Sequence, residues 1–368
     1  MIDARAWVEE ELTRLVNIFS PSGEEGRILA YLEDRLAALD LPVTAVSTPG
    51  GHHNLVVGAA TPQLVLTAHL DTVLPTWPWA GVAEVRDGVL YGLGASDDKA
   101  GVAAALLALL LAGEGGADLE ALPVAVALTV DEEIYGTGSI AVAEALRPRH
   151  VIALEATGLS PAVAEAGVVA GTAVVHGSTV HGSVPELGDN AIVKAARLVV
   201  ALEEAPFTAV AHPLLGAALP CVEEISGGSP LYAVPDRASL RFDIRVVPGI
   251  SAHEIVEEVT ALCSRFDTAL EIEEAVDAFE TAADSVLVRA LEASTRRVTG
   301  AVRPVSGVRA WTDAHNFAAV GAECVVFGPG RLVGSAHQPK EHVPLDDVAT
   351  SARILADLLV NGPLTLGW

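Results

Sequence analysis

Apolar residues recur at helical spacing twice near the start of the chain, as Leu12, Leu15, Val16 and Phe19, then as Leu29, Leu32, Leu36 and Leu39. Each set predicts an amphipathic helix. Between them SPSGEE places Ser22 and Glu25 at the S-x-x-E spacing of a capping box. Four short, almost wholly apolar runs follow: Leu64 to Thr67, Val124 to Thr129, Val151 to Leu154, and Cys324 to Phe327. Runs of that length without polar alternation predict strands buried on both faces of a sheet. Helix-like segments separate several of them, notably 100–112 and roughly 139–145, and the alternation predicts an α/β core.

The middle of the chain has a different rhythm. TAVVHGSTV reads as a strand, NAIVKAARLVVALEE as a helix and ASLRFDIRVV as a strand. AHEIVEEVTALCSRF then reads as a helix and ALEIEEAV as a strand. That order predicts a small α+β domain inserted at 172–277 into a core formed by 1–171 and 278–368. Turn-rich ATGLSP and AFETAADS mark its two sides.

A length of 368 residues agrees with two domains at about 150 residues each. Lys and Arg number 22 against 48 Asp and Glu, a net charge of −26, which disfavours a nucleic-acid or anionic-membrane partner. Cys221, Cys263 and Cys324 contain no CxxC pair, so neither a disulfide framework nor a thiolate zinc site is expected. The acidic, amphipathic MIDARAWVEEELTRLV does not read as a signal peptide. The longest apolar stretch, AGVAAALLALLLA, is shorter than the roughly 20 residues a membrane span requires. These features predict a cytoplasmic protein.

The candidate chemistry stands at the ends of the apolar runs. LVLTA leads into His69 and Asp71, VAVALTV into Asp131, Glu132 and Glu133, HVIAL into Glu155, and VVFGPG into GSAHQ with His337. GLGASDDKAG sets Asp97 and Asp98 just before an apolar helix. In open α/β sheets ligands bind beyond the carboxyl ends of the strands, so these groups are candidates for one site. Two imidazoles and several carboxylates form a donor set for divalent metal ions. Carboxylates gathered without a cation would repel one another, and two ions sharing a carboxylate would relieve that repulsion. His69 and Asp71, at i and i+2, share a side of an extended chain, so Asp71 is expected to accept the second ring N–H of His69. Glu132 and Glu133 diverge in an extended stretch, leaving one as ligand and the other as general base. Asp98 reads as a charge at a helix start and Lys99 as its surface partner.

In order along the chain, TAHLDTV, YGLGASDDKAG, DEEIYGTGS, ALEAT, HGSVPELGDNAI, RFDIRVVPG and GPGRLVGSAHQPKEHV resemble the M-twenty family of di-zinc metallopeptidases and deacylases. That family includes acetylornithine deacetylase, succinyl-diaminopimelate desuccinylase and glutamate carboxypeptidase. The resemblance implies a zinc-exopeptidase-like catalytic domain with helices on both faces of a mixed sheet, interrupted by a ferredoxin-like lid through which members dimerise. It makes Asp97 the bridging ligand, with His69 and Glu155 completing one metal and Glu133 with His337 the other. It makes Glu132 the general base, Asp71 the orienter of His69, and His181 a lid histidine that reaches a partner's site. Arg245 matches a position linked to a substrate carboxylate. Asn190 stands either at the substrate or as the cap of the NAIVKAA helix. Two divalent ions are implied, zinc first, with cobalt or manganese as alternatives.

The chain departs from the family where substrate is held. YAVPD has Ala233 in place of an asparagine, and VRAWTDAHN replaces a glycine-rich stretch, bringing Arg309, Trp311 and Thr312 to the pocket wall. The expected activity is cleavage of an amide in dipeptides or N-acyl amino acids. A di-zinc aminopeptidase and a catalytically idle binding protein are the alternatives, and the retained Glu132 argues against the idle scaffold.

Overall fold

The Leu64–His69 and Val124–Thr129 strands are buried at every position, as the sequence pattern requires for the interior of a sheet covered on both sides. In this computed structural model, which describes residues 2–78, 81–119, 121–229 and 232–366, the chain divides into two compact units. The first comprises Met1–Val163, Thr281–Ser306 and Thr312–Trp368, and the second Ala164–Glu280 with Gly307–Trp311.

The first unit holds a mixed sheet. Six of its strands run in the order Val43–Ser47, His53–Gly58, Val124–Thr129, Leu64–His69, His150–Ala153 and Glu323–Val326. The last four are mutually parallel, with Leu66 opposite both Val126 and Ile152, and the first two add antiparallel. Parallel neighbours place their carboxyl ends at one edge, and His69, Thr129 and Ala153 end there together. Two separate groups of helices pack against this sheet. Ala4–Val16, Lys99–Glu114, Val286–Thr299 and Leu345–Leu366 form one group, and Thr137–Leu146 with Ala314–Ala319 the other. Lys99–Glu114 is buried almost all round, which its Ala and Leu content permits at little cost in helix propensity.

The second unit is a four-stranded antiparallel sheet in the order Pro220–Gly227, Arg237–Val246, Gly167–His176 and Thr268–Val276. The helices Ala191–Glu203 and Ala252–Arg265 pack on it. Along the chain this is the β-α-β-β-α-β order of a ferredoxin-like unit. Its core gathers Phe207, Phe242, Leu198, Ile244 and Ile255.

Two expectations change, and one strand has no counterpart among them. The edge expected at 171/172 falls inside the continuous Gly167–His176 strand, so the division moves back to Ala164, and Gly307–Trp311 joins the second unit. The Pro220–Gly227 strand did not show as an apolar run because it is an edge strand exposed over most of its length. Helix Gly26–Ala38 starts without a side-chain cap, since Ser22 and Glu25 are turned to other partners described below. Among the described residues no helix is long and apolar enough to cross a membrane.

Candidate metal centre

Three parallel strands of the central sheet, Leu64–His69, Val124–Thr129 and His150–Ala153, lead at or just beyond their carboxyl ends into His69, into Glu132 and Glu133, and into Glu155. His69 closes Leu64–His69 and is buried. Its Nδ1 faces the Asp71 carbonyl oxygen at 3.1 Å and Asp71 Oδ1 at 3.5 Å. Both are acceptors, so Nδ1 carries a ring proton and Nε2 is turned inward towards the acids. Around Nε2 stand Asp97 Oδ1 at 3.0 Å, Glu155 Oε1 at 3.4 Å and Glu132 Oε2 at 4.0 Å. Asp97 Oδ2 lies 3.3 Å from His337 Nε2, which is 3.0 Å from Glu133 Oε2. One carboxylate thus presents a separate oxygen to each of two imidazoles.

The loops that carry these groups are held from behind. Asp71 accepts the Glu132 N–H on Oδ1 and the Glu133 N–H on Oδ2, each at 3.1 Å, and Ser22 Oγ donates to Oδ2 at 2.7 Å. Its carboxylate therefore fixes the Asp-Glu-Glu loop as much as it orients His69, whose shorter contact is to the Asp71 carbonyl. Glu25 is buried and accepts the N–H groups of Gly23 and Asp131. The turn that delivers His337 uses Gly330 at φ +82° and His337 itself at φ +57°. Glu341, also buried, accepts the N–H of Gly94 on Oε2 at 3.0 Å, and those of Ser96 and Asp97 on Oε1 at 2.8 and 3.1 Å.

Burial raises Glu132, Glu133 and Glu155 above the usual carboxylate range, and neighbouring carboxylates add to the shift. Burial likewise pushes Asp313 up to about 6, its Oδ2 accepting from Thr129 Oγ1 at 2.6 Å. Burial acts to raise Asp97 as well, yet the hydrogen bonds from His337 and His69 hold it well below its ordinary value. The bonds to Asp97 and Glu133 push His337 up to about 10. His69 is raised well above its usual value because Glu132, Asp71, Asp97 and Glu155 outweigh its burial. So much buried negative charge calls for a fixed cation. Glu155 Oε2 has no hydrogen-bond partner. Two groups, His69 with Asp97 and Glu133, and His69 with Glu132 and Glu155, each bring one donor atom per residue to within 4.8 Å of the others. The donor set fits divalent metal ions.

Lys99 is not a surface residue. It is buried, its Nζ donates to the Ile18 carbonyl at 2.7 Å, and burial pulls the ammonium down to about 7 against the attraction of Glu341 and Asp71. Asp98 is buried too, lying over Gly101, where a Cβ would meet its Oδ1 at 2.3 Å.

The remaining candidates are placed separately. His181, Asn190, Arg245 and Arg309 belong to the second unit. His181 is exposed, with Nδ1 2.7 Å from Ser183 Oγ. Asn190 Oδ1 caps helix Ala191–Glu203 by accepting from Ile192 and Val193, so its carbonyl oxygen is committed to the backbone. Arg245 pairs with Asp243 at 3.4 Å, and Arg309 donates to the Ala217 carbonyl at 3.4 Å. Thr312 lies in the first unit, buried, its Oγ1 accepting the Ala314 N–H. The sequence pattern reads Ser22 and Glu25 as a helix cap and Lys99 as a surface residue, and gives Glu341 no role. The only signal for Glu341 was its place four residues after His337, within a motif already noticed.

Two imidazoles, a carboxylate shared between them and a ring of buried acids at the strand ends define a metallohydrolase. The chain belongs to Peptidase family M20/M25/M40, which matches residues 65–361. It is 31% identical over 330 residues to the acetylornithine deacetylase of Myxococcus xanthus, covering 85% of this chain and 82% of that protein. It is 28% identical over 309 residues to the succinyl-diaminopimelate desuccinylase of Wolinella succinogenes, covering 80% and 83%. In fold it is similar to a tripeptidase from Staphylococcus aureus, with a TM-score of 0.83 and 23% identity over 97% of this chain and 98% of that one. A metallo-carboxypeptidase from Sulfolobus solfataricus gives a TM-score of 0.80 at 18% identity, over 99% and 100%. The chain is a metal-dependent hydrolase of amide bonds.

Proposed function

We propose that this enzyme hydrolyses the amide of an N-acyl amino acid, using two divalent ions and Glu132 as the group that moves the proton. The observation that carries the two-ion reading is Asp97, with Oδ1 3.0 Å from His69 Nε2 and Oδ2 3.3 Å from His337 Nε2. Asp97, His69 and Glu155 would hold one ion, and Asp97, Glu133 and His337 the other. Ions bound there supply Lewis acidity that polarises the amide carbonyl and makes water a nucleophile near neutral pH. Zinc suits these nitrogen and oxygen donors, with cobalt and manganese as alternatives.

The chain's own residues supply the rest. Glu132 is buried, its backbone fixed by Asp71, and its Oε2 is free of direct hydrogen bonds to His69 at 4.0 Å. A buried carboxylate outside the proposed ligand set is suited to take a proton from attacking water at Oε2. The water oxygen bonds to the carbonyl carbon, the C–N bond breaks, and Glu132 returns the proton to the departing amine. His181 is assigned to the developing oxyanion and Arg245 to the substrate carboxylate, an assignment supported by their motifs. Arg309 and Thr312 are assigned to substrate selection. Asn190 joins that group only through its amide NH₂, because its oxygen serves the helix. The second unit is read as a lid and dimerisation domain, and the homodimer and cytoplasmic location expected from the sequence belong to the same reading.

The choice of an N-acyl substrate is supported by the two curated relatives above, a deacetylase and a desuccinylase. A panel of N-acetyl amino acids, N-succinyl-diaminopimelate and free dipeptides, assayed before and after chelation, tests it. Chelator-sensitive release of acetate or succinate is expected. Cleavage confined to free dipeptides would overturn the acyl assignment and leave a dipeptidase.

A further inference from the structure

Glu341 lies outside the proposed ligand set, yet its carboxylate is aimed at the loop that carries Asp97. Gly94, Ser96 and Asp97 point their N–H groups into one concavity, shaped with Gly94 at φ +76°, and Glu341 fills it with both oxygens. Successive backbone N–H groups arranged in this way bind an anion, and here the anion is a side chain. The same residue's carbonyl accepts the Gly92 N–H at 3.0 Å. A second tie lies alongside: Ser96 Oγ accepts the Arg331 N–H at 3.2 Å. Within the His337 loop, Ser335 Oγ accepts from His342 N and donates to His342 O, closing the segment that contains both His337 and Glu341.

The structure assigns Glu341 a positioning role, locking the Asp97 loop to the His337 loop and so holding in register two of the three side chains proposed for one ion. The assignment rests on the two-ion reading above. The backbone of Asp97 is held directly through its N–H, and His337 is held through the short, closed loop that ends at Glu341. The ion on the His337 side therefore depends on Glu341 for two ligands. The ion on the His69 side depends on it for Asp97 alone, since His69 ends a sheet strand and Glu155 follows another by two residues.

Replacing Glu341 by Gln tests this with little change of shape. One amide oxygen can still accept, but the NH₂ then faces a backbone N–H, donor against donor, in a buried site. The full-length enzyme would be stripped by a chelator and titrated with Co²⁺, following visible absorption and bound metal by equilibrium dialysis. Wild type is expected to take two equivalents. In Glu341→Gln the first equivalent is retained and the second weakened by about 10- to 100-fold, with kcat falling by a similar factor and KM little changed. Glu341→Asp keeps the charge but is too short to reach all three N–H groups, so it should fall between the two. It also provides the test should the Gln variant fail to accumulate.

Two equivalents bound by either variant with wild-type affinity and spectrum would overturn the assignment. So would equal weakening of both equivalents together with a lower melting temperature of the metal-free protein, the sign of general destabilisation. Fewer than two equivalents in the wild type would instead remove the two-ion reading, and the assignment with it.

Discussion

Glu132 and Glu133 follow one another in the chain, hang by their N–H groups from the same Asp71 carboxylate, and send their own carboxylates to different imidazoles. Glu133 Oε2 lies 3.0 Å from His337 Nε2, whereas Glu132 Oε2 lies 4.0 Å from His69 Nε2. Glu132→Gln should lower turnover by roughly 10²- to 10⁴-fold, the range for a lost general base, without changing metal content. Metal analysis beside the rate decides the matter, because loss of an ion would make Glu132 a ligand. Residues at strand ends were legible because an apolar run followed by a His or an acid is a local pattern. Ser22, Glu25 and Glu341 were not, because their partners lie far along the chain. SPSGEE spells a helix cap, but buried N–H groups and the Asp71 carboxylate in other loops claim its side chains first.

Among the secondary-structure elements, the buried strands stood out in the sequence and the exposed one did not. Val124–Thr129 matches its apolar run residue for residue, while Pro220–Gly227, carrying Glu223 and Glu224 at a sheet edge, has no such run. The start of His150–Ala153 carries a cost that the pattern does not reveal. His150 is buried, neither ring nitrogen has a hydrogen-bond partner, and the nearest acid, Glu323, is 3.8 Å away. Burial lowers its pKa, with Glu323 opposing. The unfolded chain therefore binds this proton more readily, and the stability owed to neutral His150 is present above about pH 6.5 and is lost as pH falls through the lowered value. His150→Leu should melt with a smaller drop between pH 8 and pH 5.5 than wild type. An identical drop in the two proteins would show that His150 takes no part in acid sensitivity.

For the whole molecule, a net charge of −26 disfavours polyanion partners but says nothing of where the acids lie. The fold collects several of them, buried, at the carboxyl edge of one sheet, where bound cations would stabilise the native state as ligands do. The two-unit division was legible from the change in element order, and its edges were not. A strand that runs through 171/172 and a return of Gly307–Trp311 are decided by pairing partners distant in sequence. The central claim is that one carboxylate, Asp97, serves two ions, and anomalous diffraction at the zinc edge from crystals of zinc-loaded enzyme addresses it most directly. The account predicts two peaks, one against each oxygen of Asp97, the first shared with His69 and Glu155 and the second with Glu133 and His337. A single peak, or two peaks of which either lies away from Asp97, would contradict it.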